Sequence, residues 1–127
     1  MYIRYGYMKP KPLTTFLPLT PAIAHILLAV ADQERHGYAI MQEVEQFTGG
    51  ATRMGPGTLY GTIKRMLATG LIEEADERPD PELDDERRRY YRITRLGTQV
   101  LEAESARMAT LLGAARAKRV FPRPKRA

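Results

Sequence analysis

A chain of 127 residues with 43% hydrophobic and 28% charged residues suffices for one domain with a modest core and is too short for two. Cysteine is absent, which excludes a disulfide framework and any thiolate metal site. The formal net charge of +5 sits at one end: Lys118, Arg119, Arg123, Lys125 and Arg126 all stand in the last ten residues, and without them the basic residues fall to parity with the 15 acidic ones. Only clustering within the remainder, not the total, can therefore argue for an anionic partner.

The opening residues, Met1 to Tyr7, lack the apolar core of a secretion signal. The longest apolar run, Pro21 to Ala31, is interrupted by His25 and is far shorter than the ~20 residues of a membrane span. A soluble cytoplasmic protein is the expectation. Residues 1–19 are rich in Tyr and Pro and show neither helical nor strand period. Two readings stand side by side: a disordered arm, or an arm whose Tyr2, Tyr5, Tyr7 and Phe16 pack on a partner subunit.

Thr20-Pro21 predicts a helix start, with Thr as N-cap and Pro at the first helical position. Ile23, Ile26, Leu27 and Val30 follow at helical spacing, to an end near Asp32-Gln33. A second helix is expected from about Tyr38 to Thr48, with Ile40, Met41, Val44 and Phe47 inside and Gly49-Gly50 as its C-terminal stop. A third runs from Pro56 to about Thr69. It turns Leu59, Ile63, Met66 and Leu67 to one side and Gly57, Thr58, Gly61, Lys64, Arg65 and Ala68 to the other. That second face is small, partly hydroxylated and cationic, and it carries no carboxylate. Because glycine inside a helix costs about 1 kcal/mol relative to alanine, something must come close to this face. A nucleic-acid backbone and a tightly packed neighbouring helix are equally suited.

Beyond Gly70 the period changes. Leu71–Ala75 and Arg88–Ile93 read as two short strands, joined by the charged stretch Asp76–Arg87, which Pro79 and Pro81 keep irregular. Thr94 then caps a last helix of roughly 24 residues. The preceding core is too small to cover its stripe of Val100, Leu101, Met108, Leu111 and Leu112, so a second copy of the same helix is the simplest partner.

Three helices, a hairpin and a helix make a mostly α (α+β) fold: a winged helix-turn-helix core with a two-stranded wing and a C-terminal dimerisation helix. The expected boundaries are an arm at 1–19, a winged core at 20–93, a dimerisation helix at 94–117 and a basic tail at 118–127. His36-Gly37-Tyr38, Thr48-Gly49-Gly50, Pro56-Gly57-Thr58-Leu59-Tyr60, Lys64-Arg65-Met66-Leu67, Gly70-Leu71-Ile72-Glu73 and Arg88–Thr94 follow one another in order and spacing. Over roughly Leu19 to Leu112 this set resembles the PadR family of bacterial transcriptional regulators. The resemblance implies a dimeric repressor, released from its operator by a small molecule or a stress signal. Three departures stand out. Gly55 replaces the family's usual capping Ser, Asp80, Glu82, Asp84, Asp85 and Glu86 make the wing tip acidic, and the last helix is short.

A helix in the major groove reads bases near its N-terminus and grips phosphates at its flanks. Gly57, Thr58 and Gly61 then form the approach face, and Lys64 and Arg65 are phosphate contacts or else solvated charges. Tyr60 is a phosphate contact or a core tyrosine. Arg53 and Tyr38 are placed to touch the backbone. Arg87, Arg88 and Arg89 at the wing base either follow the backbone or pair with the acidic tip. A dimer would set two such helices roughly 34 Å apart, on an inverted repeat. An effector pocket is expected between the first helix and the partner's last helix, near Ile23, Ile26, Leu27, Met108 and Leu112, with Leu101 and Leu111 added along the effector or dimer interface; such residues are more often ordinary core. Without Trp, flat ligands cannot stack between interface indoles. The competing function is a winged helix turned to a protein partner.

No enzyme is expected, because His25 and His36 stand without a nucleophilic cysteine or an arguable triad. His36 reads as a turn or capping residue and His25 as lining a helix interface. No metal or other cofactor is expected, and the glycines around Pro56 lack the strand and Lys-Ser/Thr of a phosphate loop.

Overall fold

The computed structural model describes residues 12–75 and 89–123. A 3-10 turn, Leu13–Phe16, leads into helix α1, Pro21–Ala29. Strand β1, Arg35–His36, runs directly into α2, Gly37–Phe47, and a turn brings in α3, Pro56–Thr69. Strands β2, Ile72–Glu74, and β3, Tyr90–Ile93, precede the long α4, Arg95–Ala117. No described helix is long and apolar enough to cross a membrane.

Each helix starts where a side chain or a proline supplies what its first turn lacks. Thr20 Oγ1 accepts the Ile23 N–H at 3.3 Å ahead of Pro21. His36 Nδ1 accepts the Ala39 N–H at 3.2 Å, so the imidazole is the N-cap of α2. Gly55 offers α3 no side-chain cap, and Pro56 sets its first turn. Thr94 Oγ1 accepts the Gly97 N–H at 3.0 Å and donates to the carbonyls of Gly70 and Leu71, at 2.5 and 3.0 Å. That one hydroxyl fastens the start of α4 to the end of α3.

The ends of α2, α3 and α4 share one hydrogen-bond pattern, in which two successive N–H groups turn back to carbonyls of the last turn. In α3 the Gly70 N–H reaches Leu67 O at 3.2 Å and the Leu71 N–H reaches Met66 O at 3.0 Å, with Gly70 at φ 80°. In α4 the same left-handed position is filled by Arg119, φ 60°, and the Val120 N–H reaches Ala115 O at 2.9 Å.

The sheet has three antiparallel strands in the order β1-β3-β2. The hairpin of β2 and β3 is the expected pair, with Ile72 opposite Ile93 and Glu73 opposite Arg92. The sequence reading lacks β1, in which Arg35 pairs Tyr91 and His36 pairs Tyr90. Two residues carry no period of their own, and they become a strand only because β3 is beside them. The core gathers Ile26 and Leu27 of α1, Ile40 and Val44 of α2, and Leu59, Ile63 and Met66 of α3, with Tyr91 and Val100 closing it. Phe47, expected inside, lies exposed at the end of α2, edge-to-face with the His25 ring at 5.9 Å. One turn earlier Val44 is fully buried.

Candidate nucleic-acid interface

Leu59, Thr62, Ile63 and Met66 bury the inner side of α3, which leaves Gly57, Thr58, Lys64, Arg65 and Ala68 exposed and Gly61 half-exposed. A Cβ placed on Gly57 would meet nothing within 4 Å, and one on Gly61 would meet only Arg65 Nη1, at 3.9 Å. Among the described residues, neither glycine therefore seats a neighbouring helix. The close approach lies elsewhere, at Gly37, where a Cβ would fall against the Tyr60 ring, 2.7 Å from its Cζ. Tyr60 is half-buried, its ring laid across the first turn of α2, so it ties the two helices together at the edge of the open face.

The cations differ in how they are held. Lys64 is exposed on α3, and Arg65 Nη2 donates to Thr62 Oγ1 at 3.2 Å. No Asp or Glu occurs between Gly55 and Gly70. Arg53, 79% exposed two residues before the N-cap, donates through Nε to Glu45 Oε2 on α2 at 3.2 Å. Tyr38 projects 57% exposed from the first turn of that helix. At the base of the hairpin, Arg89 Nη1 lies 3.7 Å from Glu74 Oε2, while Arg92 Nε meets its register partner Glu73 at 2.8 Å. Arg87, Arg88 and the acidic stretch from Asp80 to Glu86 lie outside the described residues.

Two positioning groups escaped sequence reasoning. Arg35, largely buried, donates through Nε to the Ala29 carbonyl at the end of α1, 2.7 Å away. Its Nη2 lies 3.5 Å from both Asp32 and Glu43, so one guanidinium joins α1, β1 and α2. A cation a few residues past a helix end, suited to its last carbonyls, was the available signal. Glu104 is buried on α4, bound by Arg107 Nε and Nη2 at 2.8 and 3.0 Å. The hydrogen bond from Arg107 holds its carboxyl below the usual carboxylate range, and the Leu19 N–H acts in the same direction against the opposing effect of burial. Glu-x-x-Arg spacing on a helix was the signal there.

Of the residues assigned to an effector or subunit interface, Ile26 and Leu27 are wholly within the core of this chain, and Ile23 and Leu101 are half-buried. Met108, Leu111 and Leu112 stand 49%, 65% and 45% exposed along the second half of α4. Among the described residues no group of three His, Asp or Glu side chains is placed to hold a metal ion.

Comparison with known proteins agrees with this architecture. Over 88 residues the chain is 39% identical to a protein in a transposon of Streptomyces fradiae, covering 69% of this chain and 23% of that one. It is also 39% identical over 77 residues to a transcriptional regulator of Mycobacterium tuberculosis, covering 61% and 65% of the two chains. The chain thus spans less than two thirds of the length of either relative. Among solved structures, a PadR-like transcriptional regulator of Bacillus cereus superposes with a TM-score of 0.61, at 21% identity, over 87% of this chain and 97% of that one. A PadR family regulator of Clostridium difficile gives 0.59, also at 21% identity, over 76% and 95%. These structures share the fold. The sequence model of the transcriptional regulator PadR-like family matches residues 26–103, well over half of the 127, and takes in α2, α3, the hairpin and the first part of α4. The chain belongs to the PadR-like family of transcriptional regulators.

Proposed function

We propose that this chain is a sequence-specific DNA-binding repressor that acts as a homodimer on an inverted-repeat operator. The observation that carries the reading is the outer face of α3, where Gly57, Thr58, Gly61, Lys64 and Arg65 are uncovered and no carboxylate intervenes. In this reading residues 20–93 are the DNA-binding unit. Gly57 and Gly61 let the α3 backbone approach the groove, Thr58 meets base edges, and Lys64 and Arg65 grip phosphates. Tyr38 and Tyr60, at the α2–α3 edge, and Arg53 and Arg89, at its two flanks, add backbone contacts.

Residues 94–117 then serve as the dimerisation helix. Support comes from the exposed Met108, Leu111 and Leu112 on a helix about 34 Å long at 1.5 Å per residue. An effector works in this reading at the junction of α1 with the partner's α4, beside Ile23, Met108 and Leu112. By favouring a spacing of the two α3 helices that does not match the operator, it draws population from the DNA-competent state.

The test is binding to the DNA upstream of the protein's own coding sequence, titrated in salt, beside a Lys64→Ala/Arg65→Ala double variant. The reading predicts selective binding that weakens steeply with ionic strength as phosphate counterions are released and is lost in the variant. Equal binding to scrambled DNA, untouched by the variant, would refute it in favour of contacts through the basic tail alone.

A further inference from the structure

We infer that Glu45 and Glu74 are specificity-determining residues, carboxylates that hold Arg53 and Arg89 back from any phosphate not placed to displace them. The inference rests on the DNA-binding reading above. Its basis is the contrast between two kinds of cation on one surface. Lys64 and Arg65 lie on a helix that has no acidic residue from Gly55 to Gly70. Arg53 and Arg89, which flank that helix on the turn before it and at the hairpin base, each face a carboxylate of their own chain, at 3.2 and 3.7 Å.

Neither carboxylate is committed to the fold. The Arg53–Glu45 pair is 79% and 45% exposed and the Arg89–Glu74 pair 48% and 48%. Exposed pairs of this kind hold only weakly, so a phosphate in the right place can replace the carboxylate. Arg92 and Glu73 differ, being direct cross-strand partners at 2.8 Å within the β2–β3 ladder. Glu45 also shares the outward stripe of α2 with Tyr38, at i and i+7, so its charge faces any backbone that Tyr38 touches.

The consequence is a difference between correct and incorrect DNA. On an arbitrary duplex only the unlatched cations of α3 meet phosphate, and Arg53 and Arg89 stay neutralised. On the correct site α3 seats fully, phosphates reach both flanks, and the two arginines exchange partners. Two phosphate contacts in each protomer are thereby kept in reserve for the operator.

A Glu45→Gln/Glu74→Gln variant tests this with two short duplexes, the protein's own upstream DNA and a scrambled duplex of equal composition. The slope of log affinity against log salt is measured on each, with thermal unfolding as the check that the variant folds as the parent does. Each phosphate neutralised contributes about 0.9 to that slope. The expected result is a slope on scrambled DNA steeper by about 3.6, for two released arginines in each protomer of the dimer, with the slope on the upstream duplex unchanged. No change on scrambled DNA, or equal steepening on both duplexes, overturns the inference and leaves the DNA-binding reading intact. A parent protein that binds neither duplex refutes that reading, and the inference falls with it.

Discussion

Gly97, in the first turn of α4, leaves the least room for a Cβ among the described glycines, and replacing it with alanine tests whether the junction between α3, the hairpin and α4 is as rigid as its hydrogen bonds imply. A Cβ there would fall on the carbonyl oxygen of Leu71 and within 2.9 Å of Ile93 Cγ1. The Leu71 carbonyl cannot swing away freely, because it accepts the Thr94 N–H at 3.1 Å and the Thr94 hydroxyl at 3.0 Å. Alanine in place of glycine favours a helix by about 1 kcal/mol. Overpacking against fixed backbone costs about 1–3 kcal/mol, and displacing the helix start to relieve it sacrifices the Thr94 cap, worth about 0.5–2 kcal/mol. Repulsion wins, and Gly97→Ala should destabilise the fold by about 2 kcal/mol on these terms. Gly113→Ala, on the same helix with nothing within 4 Å of its Cβ, should instead stabilise by up to about 1 kcal/mol. Urea unfolding followed by circular dichroism at fixed protein concentration reads both. Stability of Gly97→Ala equal to the parent, or a shift of both variants in one direction, would refute the reasoning.

Thr94→Val keeps the shape but removes one acceptor and one bifurcated donor. It should cost about 2 kcal/mol in the same unfolding assay. Glu104 sets a pH dependence: its carboxyl is held below the ordinary glutamate value of 4.5, so its contribution is complete above that value and is lost as pH falls through the lower folded-state value. Glu104→Gln should flatten that part of the acid-unfolding curve, which a pH series of urea midpoints would reveal. Arg119 occupies a left-handed conformation, φ 60°, that disfavours an L side chain by about 1–2 kcal/mol. Arg119→Gly should slow amide exchange in the turn that closes α4, at Lys118 to Val120, and faster exchange there would contradict that account.

Much of the frame is legible in local chemistry. Thr20-Pro21, Pro56, Gly70 and Thr94 each carry a capping or stopping signal that acts within three or four residues, and each helix limit they mark falls where the structure has it. What the sequence hides is what distant segments decide. β1 is two residues made into a strand by Tyr90 and Tyr91, more than fifty positions further along the chain. Phe47 has the spacing of a core residue and lies exposed at the last position of α2, its ring against His25. Glu104 sits between Ala103 and Ser105 and reads as surface until Arg107 and the Leu19 N–H show how its charge is kept while buried. The interface divides in the same way. The cationic, glycine-bearing side of α3 follows from helical period alone, whereas the open space at Gly57 and Gly61 among the described residues required the structure. The pairing of Arg53 with Glu45 spans eight residues and a turn, and no period announces it.

In the proposed function α3 is the element that meets DNA. Backbone amide shifts recorded while the upstream duplex is added to the labelled protein would test this directly. The largest changes should fall on Gly57 to Arg65 and on Tyr38 at the start of α2. Changes confined to the basic residues from Lys118 onward, with α3 unmoved, would contradict it.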